Sequence, residues 1–507
     1  MSVQDYTVYD FICRNAQLFP DRDSIIFNEI RLSHKDYKER CDRLAAGLVK
    51  SGITKGDRLG VVAHNSDEYM IIYGAAAKIG AVVLPVNWRF QSEEVEYVLN
   101  DGSPKFVFAG SDFRQTLTDV AGKIESIEAC YTMGGGEASQ GYKPLEDLYS
   151  DTGAQDDYGI PADSGFVIIH TAAVGGRPRG ALLSQQNIIT INLGMILQFG
   201  LGPEDCNISH LPLFHIAGLS MSAAVMHAGG KNAICGTFDP ESTLQLIEKE
   251  KGTIFFHFPP ILKMMLDKYE AHPYNVSSVR NIVGLDHPDN IQRFLEFVPD
   301  ARFWTGFGQT EAMGVSGAPY DEKPGSTGKP SLLTRVALFD DYDQEVPIGS
   351  PGEICVRGPS VFRGYWNLDD ETAYTFRNGW HHTGDIGRFD EEGYLWYVKR
   401  KAEKELIKPG GENVYPAEVE KVIVSHESVA EVSVIGVPDS KWGEAIKAVC
   451  VLKPGKTLQP EELINFVASK IARYKKPKHV VFVDELPKTT VEEIDRDQVK
   501  KDHGGKY

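Results

Sequence analysis

Between residues 167 and 180 the chain reads Val-Ile-Ile-His-Thr-Ala-Ala-Val-Gly-Gly-Arg-Pro-Arg-Gly. The apolar run ending at Thr171 predicts a buried strand, and the glycines after it predict a tight turn. Such a turn presents backbone N–H groups to phosphate oxygens, and a cation such as Arg179 adds charge. Alone, the segment reads more readily as an exposed turn. The same holds for other single residues. Asp385 follows Thr-Gly and fits a turn. His215 fits a packed or capping histidine, Glu311 a solvated carboxylate, and Phe307 a core side chain.

Order and spacing change that balance. The chain carries, in sequence, Pro212-Leu-Phe-His215, Thr305-Gly-Phe-Gly-Gln-Thr-Glu311, Gly352-Glu-Ile, Gly364-Tyr-Trp366, His382-Thr-Gly-Asp385, Arg400 and Ile407-Lys-Pro-Gly-Gly-Glu-Asn-Val-Tyr-Pro416. Together these segments resemble the adenylate-forming superfamily of acyl-CoA synthetases, luciferases and peptide-synthetase adenylation domains, from about residue 10 to about residue 500. The resemblance implies a reaction in two halves. ATP and a carboxylic acid give an acyl-adenylate and pyrophosphate; a smaller C-terminal domain then rotates, and the thiol of coenzyme A displaces AMP.

The resemblance also assigns residues. Phe307 stacks on adenine, Thr310 bonds a phosphate, and Glu311 holds Mg²⁺, a hard cation that prefers oxygen ligands. Asp385 accepts from the ribose hydroxyls with Arg400 nearby. Leu285 and Asp286 stand in Gly284-Leu-Asp-His-Pro288, at the place of a Gly-Gly-Ala-Pro adenine loop. Thr171, Gly176, Arg179, Gly308 and Gln309 complete the nucleotide set. His215, Met221, Gly306, Met313 and Val315 border the acyl pocket, with His215 ranked as lining. Lys408, Gly410 and Gly411 serve coenzyme A, the two glycines by letting backbone approach the pantetheine channel. The implied catalytic positions are Glu311, Thr310, His215 and Glu493.

Three departures from the family pattern bear on the chemistry. Ala172, Ala173, Val174 and Gly175 stand where the phosphate loop has Ser, Gly, Thr and Thr, and Arg179 replaces a lysine, keeping charge but changing geometry. Glu492 and Glu493 stand where the C-terminal motif has Gly and the adenylating Lys. Arg400 and Leu406 lie two residues further apart than in the family hinge, leaving Lys401 and Lys404 both open as the pivot. The losses fall on ATP phosphates and adenylation. Two readings follow: forward adenylation is weak while thioester or reverse chemistry (acyl-CoA, AMP and pyrophosphate to ATP) is kept, or another cation such as Arg179 or Lys488 substitutes. A rival of another class is an inactive module that binds acyl-AMP, AMP or acyl-CoA.

The elements needed to place these residues read as an α/β chain. Asp36–Ser51, Tyr69–Ile79 and Glu93–Leu99 are helical, and Asp57–His64, Ala81–Pro85 and Phe106–Ala109 are strands; this alternation predicts largely parallel sheets with helices on their faces. From Gly325 to Val398, short strands between Gly, Pro and Asp turns predict a small barrel-like β unit. The charged run from Lys399 to Lys404 fits a hinge, and beyond it a mobile α+β domain is expected. The proposed division is 1–398, 399–404 and 405–507: a large domain of stacked mixed sheets, a hinge and a cap.

The chain's 507 residues exceed one hydrophobic core. A net charge of −18 argues against nucleic-acid or anionic-membrane surfaces. Seven scattered cysteines without metal spacing fit free thiols in a reducing cytoplasm. No signal peptide or membrane span is visible, so a cytoplasmic enzyme is expected. Its partners are a small carboxylic acid and coenzyme A, with ATP/AMP and Mg²⁺; a homodimer is left open. The acid fits a small cyclic, aromatic or medium-chain compound better than an amino acid.

Overall fold

The computed structural model describes residues 5–135, 141–152, 155, 158–171, 178–400, 406–410, 412–488 and 494–505. Within these, two large mixed sheets form the bulk of the chain. The first runs, edge to edge, Gly364–Tyr365, Arg179–Ser184, Gly165–Thr171, Val82–Pro85, Arg58–Val62, Phe106–Ala109, Ala129–Thr132 and Tyr142–Pro144. Its interior is parallel, and Arg179–Ser184 folds back antiparallel on Gly165–Thr171. The second contains the parallel strands Cys206–Ser209, Lys231–Ile234, Ile254–His257, Asn281–Gly284 and Arg302–Phe307, flanked by antiparallel edges.

Helices fill the space between and outside these sheets. One apolar cluster joins Val61 and Val83 of the first sheet to Ile25 and Ile254 of the second through buried helices. Asp67–Ile79 and Ile216–His227 lie there, apolar on nearly every side, as expected of helices packed between two sheets. A second cluster lies beneath the helices Pro240–Glu250, Ile261–Ala271 and Pro288–Phe297, and a third beneath Ser92–Gly102. Local sequence explains several boundaries. His34–Lys50 begins at Ser33, whose hydroxyl accepts from the Asp36 N–H, and buries Tyr37, Cys41, Leu44 and Leu48 on one face. Asp67–Ile79 ends at Gly80, at φ 70°, where a Cβ would meet Ile160 at 2.8 Å.

The β-rich segment expected after Gly325 is an antiparallel sheet ordered Arg335–Phe339, Gly352–Arg357, His381–Phe389 and Leu395–Arg400. Lys399 and Arg400, read from sequence as the start of the hinge, are strand residues paired with Ile386 and Asp385. Residues 401–405, which include both pivot candidates, lie outside the described set. Beyond them, Val429–Asp439, Gly443–Leu452 and His479–Val483 form a three-stranded sheet. It shares a separate apolar core with Pro416–Val424 and Pro460–Lys470, so the C-terminal unit is a small domain of its own. Among the described residues no helix is long and apolar enough to cross a membrane.

The N-terminal turn of Asp67–Ile79 holds a titratable strain. Burial, opposed by the Gly134 N–H that donates to Oε2 at 2.7 Å, pushes the Glu68 carboxyl up to about 7. The folded state therefore binds this proton more tightly than the unfolded state. Its stabilising contribution is complete below the unfolded value of about 4.5 and is lost as pH rises through about 7. Glu68→Gln keeps an acceptor for Gly134, so it should raise stability by about 2 kcal/mol at pH 8 and leave it nearly unchanged at pH 5. Denaturant melts at the two pH values check this; equal effects at both would refute the assignment.

Candidate functional site

The site residues sit where strands of both large sheets end. Thr171 closes Gly165–Thr171 and lies opposite Arg179 across the hairpin. The second sheet contributes Phe307, the end of Arg302–Phe307, and a tight turn follows in which Gln309 and Ala312 exchange backbone hydrogen bonds of 3.0 and 3.2 Å. That turn carries Thr310 and Glu311, both 8% exposed.

Glu311 ties the two sheets together. Its Oε1 accepts from the Thr171 hydroxyl at 3.2 Å and from the Tyr365 hydroxyl at 3.0 Å. Burial first, and the Glu311 charge next, raise the Tyr365 pKa far above a usual tyrosine value, so its hydroxyl remains a donor. Among the described residues no hydrogen bond falls on Glu311 Oε2. Arg179 lies beside the pair. Its guanidinium stands 4.2 Å from the Tyr365 ring, and Nη1 donates to Glu371 at 2.8 Å. Its buried Nε has no partner in the described structure.

A second polar node lies on the four-stranded sheet. Asp385 is fully buried and paired in register with Arg400, whose Nε donates to Oδ1 at 2.8 Å. The Gln309 side chain donates to Oδ2 and, at 3.0 Å, to the Thr383 carbonyl, which links this node to the Glu311 turn. Burial works against the Arg400 charge, but Asp385 and the Tyr415 and Tyr397 oxygens together raise its pKa above the free value. Arg400 Nη1 also donates to the Tyr415 hydroxyl at 3.3 Å, so this node touches the small domain. The Phe307 and Tyr397 rings lie 6.4 Å apart at 32°, both at the edge of the node.

A cavity opens between the two domains. Trp88, Arg89, Phe214, His215 and Phe258 line it from the large domain, and Gly410 and Glu412 from the small one. His215 is at once cap and lining: it precedes Ile216–His227, and its Nδ1 accepts from the Ala217 N–H at 3.2 Å. Burial lowers its pKa, with Glu412 opposing and Arg89 assisting, so the ring is neutral at pH 7. Gly410, at φ 61°, brings small-domain backbone against the large domain. A Cβ there would meet the Trp442 ring at 2.7 Å and Pro260 of the large domain at 3.7 Å. Lys408 is exposed at its surface yet crowded; burial of its ammonium first, and the Arg400 charge next, lower its pKa.

The remaining expected positions are more scattered. Leu285 is exposed on the loop after Asn281–Gly284. The Asp286 carboxylate turns inward: it accepts from the His287 N–H at 2.8 Å and from Asn290 at 2.6 Å, and stands 3.7 Å from buried His257. Met221 is 1% exposed within the inter-sheet core, and Met313 packs against the same cluster. Val315 belongs instead to the cluster under the four-stranded sheet. Gly306 faces Gly317, and a Cβ there would meet the Ser316 carbonyl at 2.7 Å; one at Gly308 would meet the Gly314 nitrogen at 2.9 Å. Gly176, Gly411 and Glu493 lie outside the described residues. Lys488, one of the two cations nominated as a substitute, donates to Glu431 on the small domain at 2.8 Å.

The sequence reading gave no role to Tyr365, Tyr397, Tyr415, Arg89 or Glu412. Tyr365 had a local signal in Gly364-Tyr-Trp366, and Glu412 and Tyr415 had one in Ile407–Pro416; Arg89 and Tyr397 had none.

Comparison with known proteins identifies the family. The family described as AMP-binding enzyme matches residues 12–366, and its C-terminal domain matches residues 418–492. The chain belongs to this family of adenylate-forming acyl-CoA synthetases. It is 33% identical to the indoleacetate–CoA ligase of Aromatoleum aromaticum over 97% of each chain. A solved structure from Rhodopseudomonas palustris, provisionally named a long-chain-fatty-acid CoA ligase, is 43% identical with a TM-score of 0.76, covering 79% of this chain and 100% of that one. The o-succinylbenzoate CoA synthetase of Bacillus subtilis, solved with a product analogue, is 25% identical with a TM-score of 0.86 over 98% of each chain.

Proposed function

We infer that this chain is an AMP-forming carboxylate–CoA ligase, an enzyme rather than a binding module. The observation that carries this is the joining of the Glu311–Thr171–Tyr365 and Asp385–Arg400 nodes through Gln309, beside a cavity that the small domain completes. A module that only sensed AMP would not need the second domain's Gly410 and Glu412 against His215.

Asp385 and Gln309 fit the ribose side of a nucleotide, and Phe307 and Leu285 the base. Glu311 fits Mg²⁺ through Oε2, because an ionised carboxylate with a free oxygen suits a hard cation. When bound, that ion supplies charge neutralisation for the phosphates; Thr171 and Tyr365 keep the carboxylate oriented towards it. Arg179 sets a fixed positive charge next to the phosphate loop.

The arrangement suits thioester formation. The sulfur of coenzyme A attacks the acyl carbonyl carbon, a C–S bond forms, and the C–O bond to AMP breaks. AMP leaves with that bond's electron pair, and the thiol proton passes to water. Gly410 and Glu412 border the path of the thiol, with Lys408 at its rim. With carboxylates at 492 and 493, forward adenylation is the slower half, and acyl-CoA with AMP is a competent starting point in reverse.

Similarity to proteins named indoleacetate–CoA ligase, feruloyl-CoA synthase and o-succinylbenzoate CoA synthetase supports testing aromatic acids first and fatty acids second. The pure protein incubated with ATP, Mg²⁺, CoA and benzoate, indoleacetate, ferulate or octanoate should form acyl-CoA and AMP slowly. The matching acyl-CoAs with AMP and pyrophosphate should release CoA faster. Silence in both directions, with tight AMP binding by calorimetry, would instead support a sensing module.

A further inference from the structure

The described ionic contacts between the domains converge on one short stretch of the large domain, residues 89–94. Arg89 meets Glu412 at 2.9 Å, and Glu93 meets Lys470 at 3.1 Å. The most enclosed of them centres on Lys475, which is only 2% exposed. Its ammonium donates to Glu94 Oε1 at 2.6 Å and, at short range, to Glu418. It also lies 4.8 Å from the Phe90 ring. The second oxygen of Glu94 accepts from the Ala472 N–H of the small domain at 2.7 Å and from the Gln91 N–H of its own helix cap at 2.9 Å.

The ownership of these groups is uneven. Lys475 and Glu418 both belong to the small domain and move with it. Glu94 belongs to the large domain, at the start of Ser92–Gly102. A buried ammonium is stable only where carboxylates and hydrogen bonds replace its water. Rotation of the small domain leaves the Lys475–Glu418 pair intact and removes the contribution of Glu94. That contribution therefore exists only in the arrangement that brings Gly410 and Glu412 to the cavity. Glu94 itself does not line that cavity.

We propose that Glu94 is a positioning residue for thioester formation, holding the small domain through Lys475 and the Ala472 N–H while coenzyme A reacts. The proposal rests on the ligase reading above. Glu94→Gln is the informative change: the amide oxygen preserves the helix cap, as glutamine does at this position of a capping box, while the charge facing Lys475 is lost. Two rates are measured for each protein. One is pyrophosphate release from ATP and acid without CoA. The other is thioester formation from synthetic benzoyl, indoleacetyl and octanoyl adenylates with CoA.

E94Q should slow thioester formation at least tenfold and leave pyrophosphate release within twofold. Glu94→Asp, which retracts the charge by one methylene, should show a smaller split of the same sign. Lys475→Arg, which keeps the charge, should lose less than threefold. Equal slowing of both halves, or thioester formation by E94Q within twofold of wild type, would overturn the proposal. Failure of the wild type on every adenylate would strike the ligase reading instead, independently of Glu94.

Discussion

Replacing Glu493 with lysine is expected to raise pyrophosphate release from ATP and acid by about 10²–10³-fold, the range typical of one preorganised electrostatic group. The position matches the family lysine that bridges the carboxylate and the α-phosphate, and in this chain it is an anion. A carboxylate near the phosphate adds repulsion of a few kcal/mol at an effective dielectric of about 20. Lysine at 493 therefore removes a penalty and supplies a missing attraction. Thioester formation from a supplied acyl-adenylate should stay within twofold, since that half uses the arrangement centred on Gly410 and His215. The competing expectation is that another cation already fills the role. Lys488 is engaged with Glu431, and Arg179 is engaged with Glu371 while stacked on Tyr365, so each would have to leave a partner first. An E493K enzyme with unchanged pyrophosphate release would show that one of them does so.

How far the sequence could be read depended on whether a feature was local. Phe106–Ala109 stands within the bounds expected for it, because a short β-branched and aromatic run between turn residues leaves little alternative. Lys399 and Arg400 misled for the opposite reason: charges on a partly exposed edge strand look like a solvated linker until Arg400 is seen opposite Asp385. The types of the site residues were legible from ordered motifs, but their pairing was not. Tyr365 reaches Glu311 only because the two-residue strand Gly364–Tyr365 adds to the edge at Arg179–Ser184. Nothing within a turn of Tyr365 announces that. Arg89–Glu412 and Glu94–Lys475 join residues more than 300 positions apart across two cores, and no period in the chain encodes such a contact. Asp286 shows a further limit: its side-chain contacts with the His287 N–H and the Asn290 amide, both on Oδ1, are local pairings that the sequence reading did not anticipate.

Asp385→Ala should separate two roles that the wild-type side chain combines. The carboxylate is fully buried and is the main counter-charge of Arg400, whose side chain is 19% exposed. Removing one partner of a buried pair leaves the other uncompensated, at a cost of about 3–5 kcal/mol when burial is complete. Partial exposure of Arg400 puts the expected loss at about 2–3 kcal/mol. The same change deletes the acceptor that we assign to the ribose hydroxyls. A hydrogen bond to a charged group contributes about 1.5–3 kcal/mol, so AMP affinity should fall roughly 10–100-fold. Asp385→Ala combined with Arg400→Met tells the two apart. Removing both charges should return most of the stability, because no ion remains buried and unpaired. It should return none of the AMP affinity, because the acceptor is still missing. Denaturant melts and AMP titration calorimetry on the single and double variants read the two quantities separately. Recovery of AMP binding in the double variant would mean that Asp385 serves the nucleotide only by neutralising Arg400.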